Sequence, residues 1–273
     1  MASVRRFVFA TPRAAAARTV RAHAFLGGAL LVYQRAVVTE LSRRLGLAIS
    51  APAEADLVDL ESIAAGEPGL LFLCGLPYVR TRDAGLTLEP LAAPVSIDYA
   101  DESPGYHSLL LGSPRFGGAT IDQLTALRLG INSYDSMSGW VLPAGEGMPL
   151  DRFLSTTITG THRRSLASLL AGELDAAPID SMLLACEAIT TPAFAELPAL
   201  AAYGPSPSPP VVLVGDDPEL AQRLRQALTS LHEDSSGRAA LALGCMARFD
   251  AMHDGDYDWI RECDRRAATC TPS

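Results

Sequence analysis

Residues 154–180 read LSTTITGTHRRSLASLLAGELDAAPID, and this stretch carries the pattern that decides the fold class. A short β-branched run ends at Gly160, leucines at helical spacing follow, and an apolar segment ends at Asp180. Strand, glycine turn, helix and strand are therefore predicted in that order. Because such units build sheets covered by helices, the stretch predicts an α/β fold with a parallel or mostly parallel sheet.

The same alternation continues on both sides of this stretch. The predicted strands are 4–10 (VRRFVFA), 45–50, 70–79, 88–97, 106–114 and 211–215. The predicted helices are 29–46, 55–69 and 216–234, the last of which starts at Asp216 or Asp217 as N-cap with a proline in its first turn. The tail after 239 is predicted to be a loop followed by a closing helix.

The order of these elements also predicts how the chain is divided. Two strand–helix cycles are followed by a proline-rich return, PSPSPP, at 205–210. This predicts two α/β lobes with a ligand cleft between them, because α/β proteins bind ligands beyond their strand ends. Residues 1–100 are expected to form the first part of lobe 1, residues 101–203 lobe 2, and residues 204–273 the return strand and C-terminal helices of lobe 1.

Composition excludes several classes of protein. The chain has 273 residues, 48% of them hydrophobic and 19% charged, which is typical of a folded globular protein. Its net charge of -9 argues against nucleic acid as a partner, since that binding needs clustered cations. The longest apolar run, at 25–33, is too short to insert into a membrane. Arginines interrupt the N-terminal apolar segment, so we predict a cytoplasmic protein, or a periplasmic one if an export signal has been removed.

Cofactor and metal sites are not expected. The chain contains no lysine and no Gly-Lys-Ser/Thr motif, which removes lysine Schiff bases and a P-loop. Five cysteines without a C-x-x-C spacing predict free thiols rather than a disulfide framework or a zinc site. The acidic segment HDGDYDW at 253–259 lacks the ligand spacing of a calcium loop.

The segment INSYDSMSGW at 131–140 is the first candidate for a binding site. It places two serines and a glycine where an apolar strand turns into a helix. The first N–H groups of a helix have no intrahelical partner, so the turn can hold a small anion. It can equally be an ordinary N-cap followed by a tight turn.

Several stretches, taken in order, resemble one known family. They are FLCGLPYV, GYHSLLLG, INSYDSMSGW, GTHRRSLASLLAGELDAAPID and LPALAAYGPSPSPPVVLVG. This series resembles the phosphate/phosphite/phosphonate-binding proteins of ABC importers, which have the type 2 periplasmic binding-protein fold, over roughly residues 28–262. The resemblance implies a solute-binding protein that holds a small oxyanion or carboxylate between two lobes, with an ABC importer permease as its partner.

The resemblance also implies which residues hold the anion. Ser136 and Ser138, together with the N–H groups of Met137 and Gly139, match the family's Ser-x-Ser-Gly turn. An anion held there would accept several neutral hydrogen bonds at one helix start.

Four further positions match the family's pocket. His162 in GTHRR stands at a second helix start, and Asp180 follows the strand of the Asp-Ala motif. Tyr78 and Tyr106 match tyrosines that face the ligand from the first lobe. For His162 the alternative is a solvated residue behind a capping Thr161.

Two other functions stay open on the sequence. A cytosolic enzyme that reuses the fold would employ His162 and Asp180 as acid–base groups. A hydrolase built from Ser136, His162 and Asp180 lacks the G-x-S-x-G elbow, so no catalytic residue is assigned. The third alternative is a cytosolic sensor that reports a metabolite to a partner.

Overall fold

The computed structural model describes residues 19–26, 28–55, 57–65, 68–99 and 103–270. Within these residues the strands are β1 (Thr19–Ala24), β2 (Ala48–Ile49), β3 (Ala53–Glu54), β4 (Gly69–Phe72), β5 (Leu88–Ser96), β6 (Gly105–Gly112), β7 (Leu127–Ile131), β8 (Phe153–Ile158), β9 (Ala176–Asp180), β10 (Ala199–Pro207), β11 (Val211–Val214) and β12 (Met246–Ala251). The α-helices are α1 (Leu30–Leu45), α2 (Leu60–Ala64), α3 (Gly75–Asp83), α4 (Leu142–Gly145), α5 (His162–Leu170), α6 (Ser181–Thr190), α7 (Pro218–Thr229), α8 (Ser235–Ala242) and α9 (Asp258–Ala267).

The strands form two sheets, and each sheet is the centre of one lobe. The first lobe has the order β12-β5-β11-β4-β1-β2, with β3 also paired to β1. The second lobe has the order β10-β6-β9-β7-β8. The α/β class and the two-lobed architecture predicted from the sequence are therefore confirmed.

Both sheets are mixed rather than mostly parallel. In the first lobe β1 runs parallel to β2, β3 and β4, whereas β11 and β12 pair antiparallel to their neighbours. In the second lobe β7 runs parallel to β8 and β9, while β6 and β10 are antiparallel. The expectation of mostly parallel sheets was wrong, because the strands at which the chain enters each lobe, β6 and β11, run antiparallel to the strands beside them.

The chain changes sheets twice. It leaves the first sheet after β5 and returns at β11, so the second sheet takes β6 to β10. The predicted boundary between residues 203 and 204 falls inside β10, whose Pro207 still pairs with Gly105. A boundary at 208–210 fits the strands better, and the division into domains stays a prediction.

Helix periodicity explains the best-predicted elements. Helix α7 buries Leu220, Leu224 and Leu228 on one face, and Asp217 caps it by accepting from the Leu220 N–H at 3.0 Å. Helix α1 ends at Gly46, whose φ of 62° suits glycine. The predicted helices at 29–46 and 216–234 are confirmed, as is the strand at 211–215.

Several predicted elements differ from the structure. The VRRFVFA strand lies outside the described residues, and the strand before α1 is β1. The segment 70–79 is not one strand, because β4 ends at Phe72 and Pro77 lies in the first turn of α3. Among the described residues of the predicted helix 55–69, only α2 and a preceding 3-10 turn form.

The tail contains more structure than predicted and supports the binding region. Helix α8 and strand β12 precede the expected closing helix, α9. Helix α9 packs against α3 of the first lobe and against α4 and β10 of the second. The Cys263 thiol donates to the Val141 carbonyl at 3.3 Å, which ties α9 to the turn after Ser138. No helix in the described part of the chain is long and apolar enough to cross a membrane.

Candidate binding cleft

A cavity of about 810 Å³ lies between the two lobes. The second-lobe wall consists of the turns that follow β7, β8 and β9, and it includes Ser138, His162 and Asp180. The first-lobe wall comes from the ends of β1 and β4, the start of α1, and β12. Because parallel strands present their carboxyl ends at this edge, the cavity occupies the usual ligand position of an α/β protein.

The Ser-Met-Ser-Gly segment forms a capped turn. Residues Met137–Val141 are π-helical, and Ser136 Oγ caps them by accepting from the Gly139 N–H at 3.0 Å. A Cβ on Gly139 would lie 1.6 Å from Asn132 Oδ1, so any other residue there forces Asn132 or the turn to shift. Ser136 and Ser138 line the cavity.

The expected role of the Met137 and Gly139 N–H groups is corrected by this geometry. The Gly139 N–H is already bonded to Ser136 Oγ, and the Met137 N–H approaches the Cys74 thiol. The Gly139 donor is therefore used within the turn, and both residues lie outside the cavity lining among the described residues. A sequence motif shows a helix start but not which of its N–H groups the cap consumes.

Ser138 and His162 are in direct contact at the cavity wall. Ser138 Oγ lies 2.8 Å from His162 Nε2, and the Ser108 hydroxyl donates to the Ser138 carbonyl at 2.6 Å. Both Ser138 and His162 are buried. Thr161 caps α5 by accepting from the Arg164 N–H at 3.2 Å, which fixes His162 at the first helical position.

Burial determines the charge of His162. Loss of solvation lowers the pKa of His162 to about 4, against a weaker opposing effect of the Pro178 backbone. The imidazole is therefore neutral near pH 7 in the free protein. An anion bound beside it would raise that pKa again, since opposite charges favour the protonated ring.

Asp180 combines a structural role with a place in the cavity. Its Oδ1 accepts from the Met182 N–H at 2.8 Å and the Leu183 N–H at 3.1 Å, which caps α6. Burial raises the pKa of Asp180 to about 6, because the two backbone hydrogen bonds do not fully offset the lost solvation. The carboxyl group therefore changes charge in the weakly acidic range.

The other charged groups of the lining are mostly acidic. Arg163 forms an ion pair with the buried Glu187. Glu54 accepts from the Gly28 N–H at 3.1 Å, and Asp135 pairs with Arg80 at 2.8 Å. An anion in this cavity thus depends on hydroxyl and imidazole donors rather than on free cations.

The two predicted tyrosines are not in the cavity lining. The Tyr78 hydroxyl donates to Asp254 Oδ1 at 2.7 Å, and the ring packs edge-on against Tyr257. Tyr106 is buried behind the wall, and burial together with nearby Cys74 and Asp180 raises its pKa. Neither hydroxyl faces the ligand space, so the sequence-based assignment of Tyr78 and Tyr106 is not carried forward.

We expect Tyr78→Phe to leave ligand affinity within about twofold of the wild type. The hydroxyl bonds to an aspartate that also binds Arg82 and Arg261, so its loss should lower the free energy of unfolding by about 1 kcal/mol. Calorimetric titration and urea unfolding of the same preparation measure both effects. A tenfold loss of affinity at unchanged stability would return Tyr78 to the binding site.

The structure adds residues that sequence reasoning missed. Asn132 follows β7, and Cys74 stands before α3; both line the cavity. Tyr33 and Gln34 do so from α1, and the Tyr33 hydroxyl and Gln34 Oε1 are buried without a hydrogen-bond partner among the described residues. A signal was present for Gln34, since it is a polar residue in the buried stripe of α1.

These contacts favour binding over catalysis. Ser138 and His162 form a hydroxyl–imidazole pair, but within the described ranges His162 Nδ1 has no side-chain partner that could complete a hydrolytic triad. Asp180 Oδ1 is bonded to backbone N–H groups, not to His162. Burial also raises the pKa of the Cys74 thiol to about 11, which keeps it protonated and poorly nucleophilic.

Comparison with known proteins identifies one matching family. The family model described as the periplasmic substrate-binding protein of an ABC phosphonate transporter matches residues 33–257. The comparison with curated proteins gave no match.

Solved structures share the fold at low sequence identity. A binding-protein component of an ABC phosphonate transporter from Pseudomonas aeruginosa has a TM-score of 0.77 and 16% identity, covering 93% of this chain and 89% of that one. PhnD1 from Prochlorococcus marinus, in complex with methylphosphonate, has a TM-score of 0.74 and 16% identity, covering 92% and 98%. A Xanthomonas citri protein bound to ATP has a TM-score of 0.67 and 17% identity, covering 92% and 97%.

Proposed function

We propose a ligand for this chain from the premise that it belongs to the family of periplasmic substrate-binding proteins of ABC phosphonate transporters. Members of that family bind solutes, so the enzyme alternative is set aside. The proposed ligand is a phosphonate, held in the cleft by Ser138 and His162. Ser136, Asn132 and Asp180 line the same space.

The Ser138–His162 contact is the observation that carries this proposal. The two side chains lie 2.8 Å apart at the wall, so one ligand oxygen can approach both. If His162 holds its proton on Nε2 and donates it to Ser138, the serine hydroxyl is free to donate to the anion. The pair thus presents a hydrogen-bond donor to the anion, although neither side chain carries a positive charge in the free protein.

Asp180 fits a phosphonate when it is protonated. A carboxylate beside the anion would repel it, whereas a carboxylic acid donates a hydrogen bond. Burial already holds the pKa of Asp180 at about 6, and a nearby anion raises it further. The methylphosphonate in the Prochlorococcus marinus protein supports the choice of ligand class.

The family also supports a proposal about partner and location. We propose that the closed, ligand-bound form delivers its solute to an ABC importer permease on the periplasmic side. A periplasmic location thus replaces the cytoplasmic location that was expected from the sequence. Closure of two lobes around a ligand is a common hinge motion of such folds.

Titration of methylphosphonate into the wild type, Ser138→Ala and Ser168→Ala tests the ligand proposal. We expect Ser138→Ala to weaken binding about tenfold or more, because it removes a hydrogen bond to a charged group. It also leaves His162 Nε2 without its partner, so we expect about 1–3 kcal/mol of lost stability.

Ser168→Ala is the matched control, because Ser168 lies in α5 of the same lobe but outside the cavity lining among the described residues. It deletes a hydroxyl that donates to Glu173 at 2.8 Å, which should change the stability by less than about 1 kcal/mol. Its affinity is expected to stay within about threefold of the wild type, and the melting temperature of each variant shows that it is folded. Equal affinities for Ser138→Ala and wild type, or no binding of methylphosphonate, phosphate or phosphite to the wild type, would refute the proposal.

A further inference from the structure

We infer that the natural ligand is a phosphonate with a bulky apolar substituent, whose body lies against the aromatic first-lobe wall of the cleft. This inference rests on the proposed function and adds the chemical class of the substituent. Phe25 is the half-exposed member of that wall, and Phe72, Phe249 and Met246 are buried directly behind it, with Met182 of α6 nearby.

Size is the first reason. Methylphosphonate has five non-hydrogen atoms and fills about 150 Å³ if each takes the space of one liquid water molecule. The cavity holds about 810 Å³, which is in the range of sites for much larger organic ligands. In the described arrangement of the lobes, a small phosphonate at Ser138 would leave most of this space to water.

The chemistry of the two walls is the second reason. The second-lobe wall presents Ser138, His162 and Asp180. The first-lobe wall is mainly apolar around Phe25, although Tyr33, Gln34 and Glu54 also line it. Phe72, Phe249 and Met246 are buried in the core behind the wall, which holds their positions. Apolar surface that faces a water-filled cleft gains free energy when an apolar group covers it.

The placement of the tyrosines is the third reason. Tyr78 and Tyr106, which would present hydroxyls to the anion from the first lobe, are held outside the lining. The first-lobe surface that meets the far side of a ligand held at Ser138 is therefore the one around Phe25. A ligand matched to both walls is polar at one end and apolar at the other.

The test compares phenylphosphonate with methylphosphonate by calorimetric titration into the full chain. We expect the wild type to bind phenylphosphonate at least about tenfold more tightly, which corresponds to about 1.4 kcal/mol. Phe25→Ala should reduce this ratio to about threefold or less, because Phe25 is only half-buried in the core and faces the cleft. Ser138→Ala should weaken the binding of both ligands.

Phe116→Ala is the matched control, since Phe116 is also half-buried but lies outside the cavity lining among the described residues. It should keep the wild-type ratio. Methylphosphonate binding as tightly as phenylphosphonate would overturn this inference and leave the proposed function intact. Failure of both ligands to bind would overturn the proposed function itself. The proposed placement of the ligand would be refuted if Phe25→Ala left the affinity ratio of the two ligands unchanged. It would also be refuted if Ser138→Ala left phenylphosphonate binding unchanged.

Discussion

Gly139→Ala is expected to lower the free energy of unfolding by about 3 kcal/mol or more and to abolish phosphonate binding. The new Cβ would lie 1.6 Å from Asn132 Oδ1, 2.8 Å from Asn132 Cγ and 3.0 Å from Ser136 Oγ. Asn132 Oδ1 has no hydrogen-bond partner among the described residues, so the clash is relieved by displacement of the Asn132 side chain together with the turn that holds Ser136 Oγ. That displacement breaks the Ser136 cap and moves Ser138 away from His162.

Thermal and urea unfolding measure the stability change, and methylphosphonate titration measures the binding change. Gly255→Ala is the control, because a Cβ there meets no atom within 4 Å and the backbone is not left-handed. It should change the stability by less than about 0.5 kcal/mol. A Gly139→Ala protein with wild-type stability and affinity would contradict the described packing of the turn.

The sequence predicted the parts of the fold that depend on local pattern. Helix α7 carries its own cap, an N-terminal proline and a leucine stripe, and it forms as predicted. Strand β10 was missed because Pro205 and Pro207 suggest a linker, although Pro207 still pairs with Gly105 at the strand end. Strand β12 was missed because MARFDA shows only weak alternation of buried and exposed residues.

The candidate site shows the same limit. The sequence placed Ser138 and His162 at helix starts and Asp180 at the end of a strand, and the structure brings all three to one cavity. It could not show that Asp254, far along the chain, accepts a hydrogen bond from the Tyr78 hydroxyl. Local patterns predict where a turn lies, but the partners of a side chain depend on contacts between distant segments.

The second prediction with a large effect concerns how the free energy of unfolding depends on pH. His162 and Asp180 in the cleft contribute to this dependence with opposite signs. Burial lowers the pKa of His162 to about 4, so between about pH 4 and 6.5 the unfolded chain holds a proton that the folded protein lacks. This makes the folded state more stable as pH rises through that range. Burial raises the pKa of Asp180 to about 6, so between about pH 4 and 6 the folded protein holds the extra proton and becomes less stable as pH rises.

The two contributions cancel in the wild type, and single substitutions should separate them. Asp180→Asn keeps an N-cap for α6 and removes the titration, so its stability relative to the wild type should rise by up to about 3 kcal/mol from pH 4 to 6. His162→Gln keeps a hydrogen-bond partner for Ser138, and its relative stability should fall by a similar amount over the same range. Urea unfolding at half-unit pH steps measures both differences, and subtraction of the wild-type curve removes every other titrating group. If the three proteins give parallel curves of unfolding free energy against pH, neither group has the shifted pKa described above, because only a shifted pKa couples protonation to folding.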